Sequence, residues 1–147
     1  MSMRILDEIA NACGWTGVRP RAIVMQNAFG NVIFTDDDGQ YWRLCPEELS
    51  CEVVAIDGEE FARVQDSDRF ARDWTMQELV ERARSTFGNV SAERCYCLKI
   101  PGTLGGDYAL HNIGTIDRAE LISVSGHIAQ QIKDLPDGAQ IKLSIID

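Results

Sequence analysis

Two β-prone runs, residues 31–34 and 40–44, are joined by Thr35-Asp36-Asp37-Asp38-Gly39. A short polar segment ending in glycine lets the chain reverse, so the second run pairs antiparallel with the first. This is the clearest hairpin in the sequence, and it commits the chain to antiparallel pairing. Residues 21–26, which follow Pro20, and residues 51–56, which end at Asp57-Gly58, read as further strands. Residues 93–100 are apolar on both faces, which places that strand inside the sheet. Pro136-Asp137-Gly138 turns the chain into a final strand, where Ala139, Ile141, Leu143 and Ile145 alternate inward.

Helical signals separate these strands. Ser2 is positioned to cap a helix over 3–13, with Ile5, Ile9 and Ala12 or Cys13 on one face and Gly14 as its stop. Residues 59–64 read as a short helix. Thr75 with Glu78 three positions later forms a capping box for a longer one, in which Leu79, Ala83 and Phe87 recur every fourth residue beside Val80. Asp117 with Glu120 forms a second box, followed by an apolar stripe of Leu121, Val124, Ile128, Ile132 and Leu135. The order hairpin, β, α, β, α, β predicts an α+β fold. It is expected as a single compact domain with a largely antiparallel sheet, two longer helices and a short N-terminal helix.

At 147 residues the chain is long enough to bury a core without covalent staples. Asp7 and Glu8 stand where a signal peptide needs an uncharged stretch, and no apolar run approaches the length of a membrane span. The five cysteines, Cys13, Cys45, Cys51, Cys95 and Cys97, are an odd number and read as reduced, mostly buried thiols. The expected compartment is the cytoplasm. A formal charge of −9 argues against direct contact with nucleic acid phosphates or anionic membranes and suits a partner protein with a basic surface.

Candidate chemistry is sparse. Pro101-Gly-Thr-Leu-Gly-Gly-Asp107 lacks the Lys-Ser/Thr pair of a phosphate loop, and Asp107 would repel phosphate, so positive φ at Gly105 or Gly106 is the structural reading. Asp36-Asp37-Asp38-Gly39 has neither the ligand alternation nor the closing glutamate of a calcium loop. Cys95-Tyr96-Cys97 is too tight for zinc spacing, and Cys45 and Cys51 have no neighbouring histidine. His111 and His127 are the two imidazoles, and only His111 lies near the glycine loop. No catalytic residue, cofactor or metal is expected. Trp15, Trp42, Trp74, Tyr41 and Tyr108 are core or interface anchors; Tyr41 and Trp42 must point to opposite faces, which leaves one ring at the periphery.

Ala28-Phe-Gly-Asn31 and Tyr41-Trp-Arg-Leu-Cys-Pro-Glu-Glu48, followed by Leu104-Gly-Gly106, Asn112-Ile113 and Asp134-Leu-Pro-Asp-Gly138, resemble the type VI secretion system immunity protein family. The likeness is to the C-terminal domain of immunity proteins to DNase effectors, formerly a domain of unknown function. Larger relatives carry a GAD-like module ahead of this domain, for which the first twenty residues are too short. The resemblance therefore implies one immunity-type domain over 1–147, with 1–19 as helix and lead-in and 20–146 as the family-like region. It further implies a non-enzymatic protein that binds a cognate secreted toxin, a nuclease among the target classes, and occludes its active site. Asp36, Asp37, Asp38, Trp42, Glu59 and Glu60 are the candidate contacts. Two other readings compete with it. One is a small ligand-binding domain or enzyme using the loop 102–107 with His111, and the other is an interaction subunit unrelated to toxins.

Overall fold

The computed structural model describes residues 2–136, and the expected final strand with its turn at Asp137-Gly138 lies outside them. Four strands, β1 (Pro20–Gln26), β2 (Val32–Asp36), β3 (Tyr41–Cys45) and β4 (Ser50–Ala55), form an antiparallel meander in sequence order. Each reversal has its own chemistry. Between β1 and β2, Asn27 Oδ1 accepts the amides of Phe29 and Asn31 at 3.0 and 2.9 Å. Between β2 and β3, Asp36 Oδ1 accepts the amides of Asp38 and Gln40, both at 2.9 Å, and Gly39 takes φ of 81°. A 3₁₀ turn, Pro46–Glu48, joins β3 to β4.

Both faces of this sheet are covered. On one lie α1 (Ser2–Cys13) and α5 (Arg118–Ile132), whose Ile5, Ile9, Ala12, Ala119 and Ile122 pack on Val32, Phe34 and Leu44. On the other lie α2 (Gly58–Gln65) and α3 (Asp68–Thr75), where Phe61 and Trp74 meet Ile33 and Ala55. Trp42 faces the first layer beside Phe34, and Tyr41 faces the second, stacked on Phe61 at 4.5 Å. Helices on both sides give each ring a layer to pack in, so neither is left at the periphery.

Among the described residues the remaining strands do not join the main sheet. β5 (Arg94–Leu98) pairs antiparallel with β6 (Ile113–Asp117) alone, and α4 (Gln77–Phe87) covers them through Val80, Ala83, Tyr96, Leu98 and Ile113. Of the strand expected inside the sheet at 93–100, the described residues show a strand with one strand neighbour, β6. The second apolar face of β5 is buried against the β1–β2 turn, where Gly30 brings the backbone onto Cys95 and Leu121. The α+β class holds, with two antiparallel sheets among the described residues.

Two helix signals also read differently in three dimensions. Thr75 ends α3, and Met76 takes a left-handed conformation (φ 45°) before α4 begins, so the Thr75–Glu78 box does not form. Ser67 caps α3 instead, accepting the Phe70 amide at 3.1 Å. In α5, Asp117 caps as expected, with Oδ1 accepting from Ala119 and Glu120 at 3.0 and 3.2 Å. The buried face, however, is Ala119, Leu121, Ile122, Ser125 and Gly126, while Val124 and Leu135 are exposed. Small residues set that face because α5 crosses α1 closely. A Cβ at Gly126 would lie 2.5 Å from Ala12 Cβ and 2.7 Å from its carbonyl oxygen.

That crossing generates a prediction. Replacing a solvent-facing helical glycine by alanine gains up to about 1 kcal/mol, but here the added methyl must push α1 from α5. Gly126→Ala is expected to lower stability by about 1–3 kcal/mol, measured as a reduced urea midpoint with an unchanged slope.

Candidate functional site

The six residues singled out in the sequence gather at one end of the main sheet. The pairings Thr35↔Tyr41 and Tyr41↔Ala55 bring the β2–β3 tip beside the start of α2. Within this end the residues have different tasks. Asp36 is buried, and its Oδ2 accepts the Trp42 indole N–H at 2.8 Å. Burial alone would raise the Asp36 pKa, but the bonds from Trp42, Gln40 and Asp38 outweigh it and hold the carboxyl below its ordinary value. Asp36 and Trp42 therefore build the tip, and Asp37 and Asp38 stand exposed on it. At the other position Asp57 caps α2 by accepting the Glu60 amide at 2.8 Å. Glu60 is half-buried and accepts the Ile56 amide at 3.3 Å, while Glu59 is exposed and 3.7 Å from Arg63.

A second feature carried no periodic signal. Glu47, on the turn between β3 and β4, is 3% exposed. Its Oε1 accepts from Asn31 Nδ2 at 2.7 Å and its Oε2 from the Cys45 thiol at 3.3 Å. Asn31, fully buried, uses its Oδ1 to accept Arg43 Nε and Nη2 at 3.0 and 2.9 Å. Arg43 then donates from Nη1 to Asp73 and lies over the Trp74 ring, 5.2 Å from its centroid. Burial raises the Glu47 pKa, partly offset by bonds from Cys45, its own amide and Asn31 and by the Arg43 charge. The same burial, with the neighbouring Glu47 carboxylate, pushes the Cys45 thiol up and keeps it protonated. Asn31, Arg43, Cys45 and Glu47 all fall in the two segments that carry the opening half of the resemblance.

This network lies along a cleft of about 830 Å³ between the β3–β4 side of the sheet and the α3–α4 junction. Glu48 and Glu52 stand on the sheet wall, Arg72 and Arg82 on the helical wall, and Tyr108 at its margin. The Tyr108 hydroxyl pKa is pushed up to about 12 by partial burial and then by nearby acidic groups, Glu47 foremost.

The glycine loop is packed shut. Gly105 takes φ of 93°, and a Cβ at Gly106 would sit 1.8 Å from the Ile100 carbonyl oxygen. Asn112 closes the loop, donating to the carbonyls of Ile100 and Asp107 at 2.9 Å each and accepting the Ile100 amide at 3.0 Å. His111 lies on open surface, 3.3 Å from Asp107. The glycines thus serve a backbone turn, and the arrangement removes the geometric support for a ligand site built on the loop with His111. Among the described residues no group of three or more His, Cys, Asp or Glu side chains is arranged for a metal ion, and no helix is long and apolar enough to cross a membrane.

The buried carboxylate predicts a pH signature. A folded pKa above the unfolded one means that stability falls as pH rises from about 4.3, the ordinary glutamate value, through the raised one. Glu47→Gln keeps an acceptor for Asn31 without the charge. Its stability relative to the parent is expected to grow with pH across that window and stay level above it, read from urea unfolding at a series of pH values. Asn31→Ala, which orphans Glu47 and Arg43 together, is expected to cost about 2–4 kcal/mol in the same assay.

Comparison with known proteins agrees with the architecture. The chain superposes on the crystal structure of Atu4351 from Agrobacterium tumefaciens with a TM-score of 0.58 and 14% sequence identity. The match covers 86% of this chain and 64% of that one, so the chain spans just under two thirds of its structural neighbour, and the likeness is one of fold. No curated protein matches the sequence. The family model described as T6SS immunity protein Tdi1, C-terminal, matches residues 57–129, from the α2 cap through most of α5 and including Asp73, the closed glycine loop and Asn112. Over this stretch the chain matches the T6SS immunity protein family that the sequence resemblance indicated.

Proposed function

We propose that this protein binds a cognate type VI effector and neutralises it stoichiometrically, by covering the toxin's active site without turnover. The family match over 57–129 carries this reading. Charge supports the choice of partner. The chain is acidic, at −9, and at one end of its main sheet the exposed Asp37, Asp38 and Glu59 stand together. A nuclease is the effector class that fits best, since a surface that holds phosphates is basic and accepts an acidic plug. In this reading Asp36 and Trp42 hold the hairpin in shape, Asp37, Asp38 and Glu59 meet the toxin, and Glu60 does so at the edge of the contact. The compartment follows from the target: a nuclease must be stopped in the cytoplasm.

Exposed charges at an interface rim act chiefly on association rate and salt dependence. Reversal of Asp37, Asp38 and Glu59 to Lys is expected to weaken binding to the catalytically inactivated cognate effector by at least tenfold. The loss should appear mostly in the association rate and shrink as salt is raised. Protection of cells producing the active effector should fall in parallel. Unchanged titration isotherms and undiminished protection would show that this acidic end is not the contact.

A further inference from the structure

Among the described residues the main sheet ends in two edge strands, and they are not equivalent. β1 opens with Pro20 and Arg21 and departs from regular register with β2 at two places, between Pro20 and Ala22 and between Ile23 and Met25. Proline, charge and bulges are the usual means of blunting an edge. β4 reads Ser50-Cys-Glu-Val-Val-Ala55, without proline or glycine, and its centre is β-branched. It stays in register with β3 from Ser50 to Val53, with one irregularity at the far end. Among the described residues β4 pairs with β3 alone, so one row of its amides and carbonyls has no strand partner.

The surface beside β4 is concave along its first half. The 830 Å³ cleft on the helical side shares Glu48, Ser50, Glu52 and Tyr108 with a shallower groove of about 470 Å³ that continues over Gly102 and Thr103. Thr103 fixes that rim by donating to the Glu48 carbonyl at 2.7 Å. Glu48 and Glu52 are exposed and have no ion-pair partner among the described residues, and Tyr108, 48% exposed, lies between the two depressions. On the opposite wall Arg72 and Arg82 are offset by Asp73 and Glu78, while Glu48 and Glu52 outnumber Arg43 on the strand wall, so the excess negative charge lies on the strand side. A tyrosine flanked by unpaired carboxylates suits a lysine or arginine chain, whose stem covers the ring while its head meets the acids. Six residues of β4 extend about 20 Å, and the strand ends at Ala55, two residues before Asp57 and the acidic end already described.

We infer that an extended basic segment of the effector docks along β4 as a fifth strand, with a cationic side chain between Tyr108 and Glu52 and its far end at the acidic tip. This inference rests on the immunity reading. Main-chain pairing supplies the affinity, and the carboxylates of Glu48 and Glu52 supply the selection for a basic sequence.

Amide hydrogen exchange on the full chain, free and with the catalytically inactivated effector, tests it. The outward amides of β4 are expected to exchange freely in the unbound protein and at least tenfold more slowly in the complex. Glu52→Lys is expected to weaken binding at least tenfold, and Tyr108→Ala comparably. Asp7→Lys, with the same change of charge on α1, is expected to leave binding within twofold. Both exposed substitutions should leave the unfolding midpoint in place. A complex that forms with β4 exchange unaltered overturns the inference while the immunity reading stands. So does a β4 already protected in the free chain. No complex at all overturns the immunity reading and the inference together.

Discussion

The constraint on which the rest depends is the carboxylate of Glu47 and the need to satisfy it out of water. A buried ionisable group is tolerated only when its lone pairs are matched, and here the matching groups come from separate parts of the chain. Asn31 comes from the β1–β2 turn, Cys45 from the end of β3 and Asp73 from α3, with Arg43 bridging. A one-residue slip between β2 and β3 would turn Arg43 to the other face and leave Glu47 and Asn31 unpartnered. No buried side-chain polar atom in the described residues lacks a partner. The network therefore selects one register and one seating of α3, while apolar contacts alone would accept several. Its position behind a cleft follows from the same geometry: α3 is drawn to Arg43 by Asp73 and Trp74, and the open space beyond the α3–α4 corner becomes the cleft.

Local chemistry was legible wherever the signal and the structure share the same few residues. The β2–β3 hairpin and the Asp117 cap are of this kind, because Asp36 and Asp117 satisfy amides within four positions of themselves. The α5 stripe was not legible. Periodicity selects large apolar residues, but the face toward α1 is chosen by closeness of approach, and Gly126 against Ala12 allows that approach where a larger residue would prevent it. Strand β6 was missed for a related reason. Ile113-Gly-Thr-Ile-Asp117 follows directly on the closed glycine loop, and its pairing with β5 is defined by tertiary position more than by propensity. Thr75 and Glu78 had the spacing of a cap, but Ser67, eight residues earlier, opens a helix that runs through Thr75.

The candidate site divides along the same line. Its exposed charges at the β2–β3 tip could be read because acidic turn residues without apolar neighbours have nowhere to go but solvent. That Asp36 turns inward could not be read, since the decision rests on an indole two strand positions beyond the turn. The Glu47 network was visible only as a cluster of motif residues without a stated reason. The structure supplies the reason: Asn31, Arg43 and Glu47 stand together in the motif because each completes the hydrogen bonding of another. The glycines near 105 carry a similar lesson. A loop that looks like a phosphate cradle is closed by Asn112, whose amide occupies the space a ligand would need.

These features combine into a division of labour for the proposed complex. Long-range attraction scales with net charge and is weakened by salt, so the −9 of the chain acts before contact and sets how often a basic partner arrives in a useful orientation. Residence depends on short-range terms, and a strand edge offers them in a form that tolerates variation in the partner's side chains, because the bonds are made by the backbone. The blunted β1 and the regular β4 then serve opposite ends. In the proposed complex one would protect the chain from pairing with its own copies, while the other, which has one strand partner among the described residues, would receive the effector beside Glu48 and Glu52. Those carboxylates would repel a second copy of this acidic chain and attract a cationic segment. The same two residues thus work against self-association and in favour of the effector.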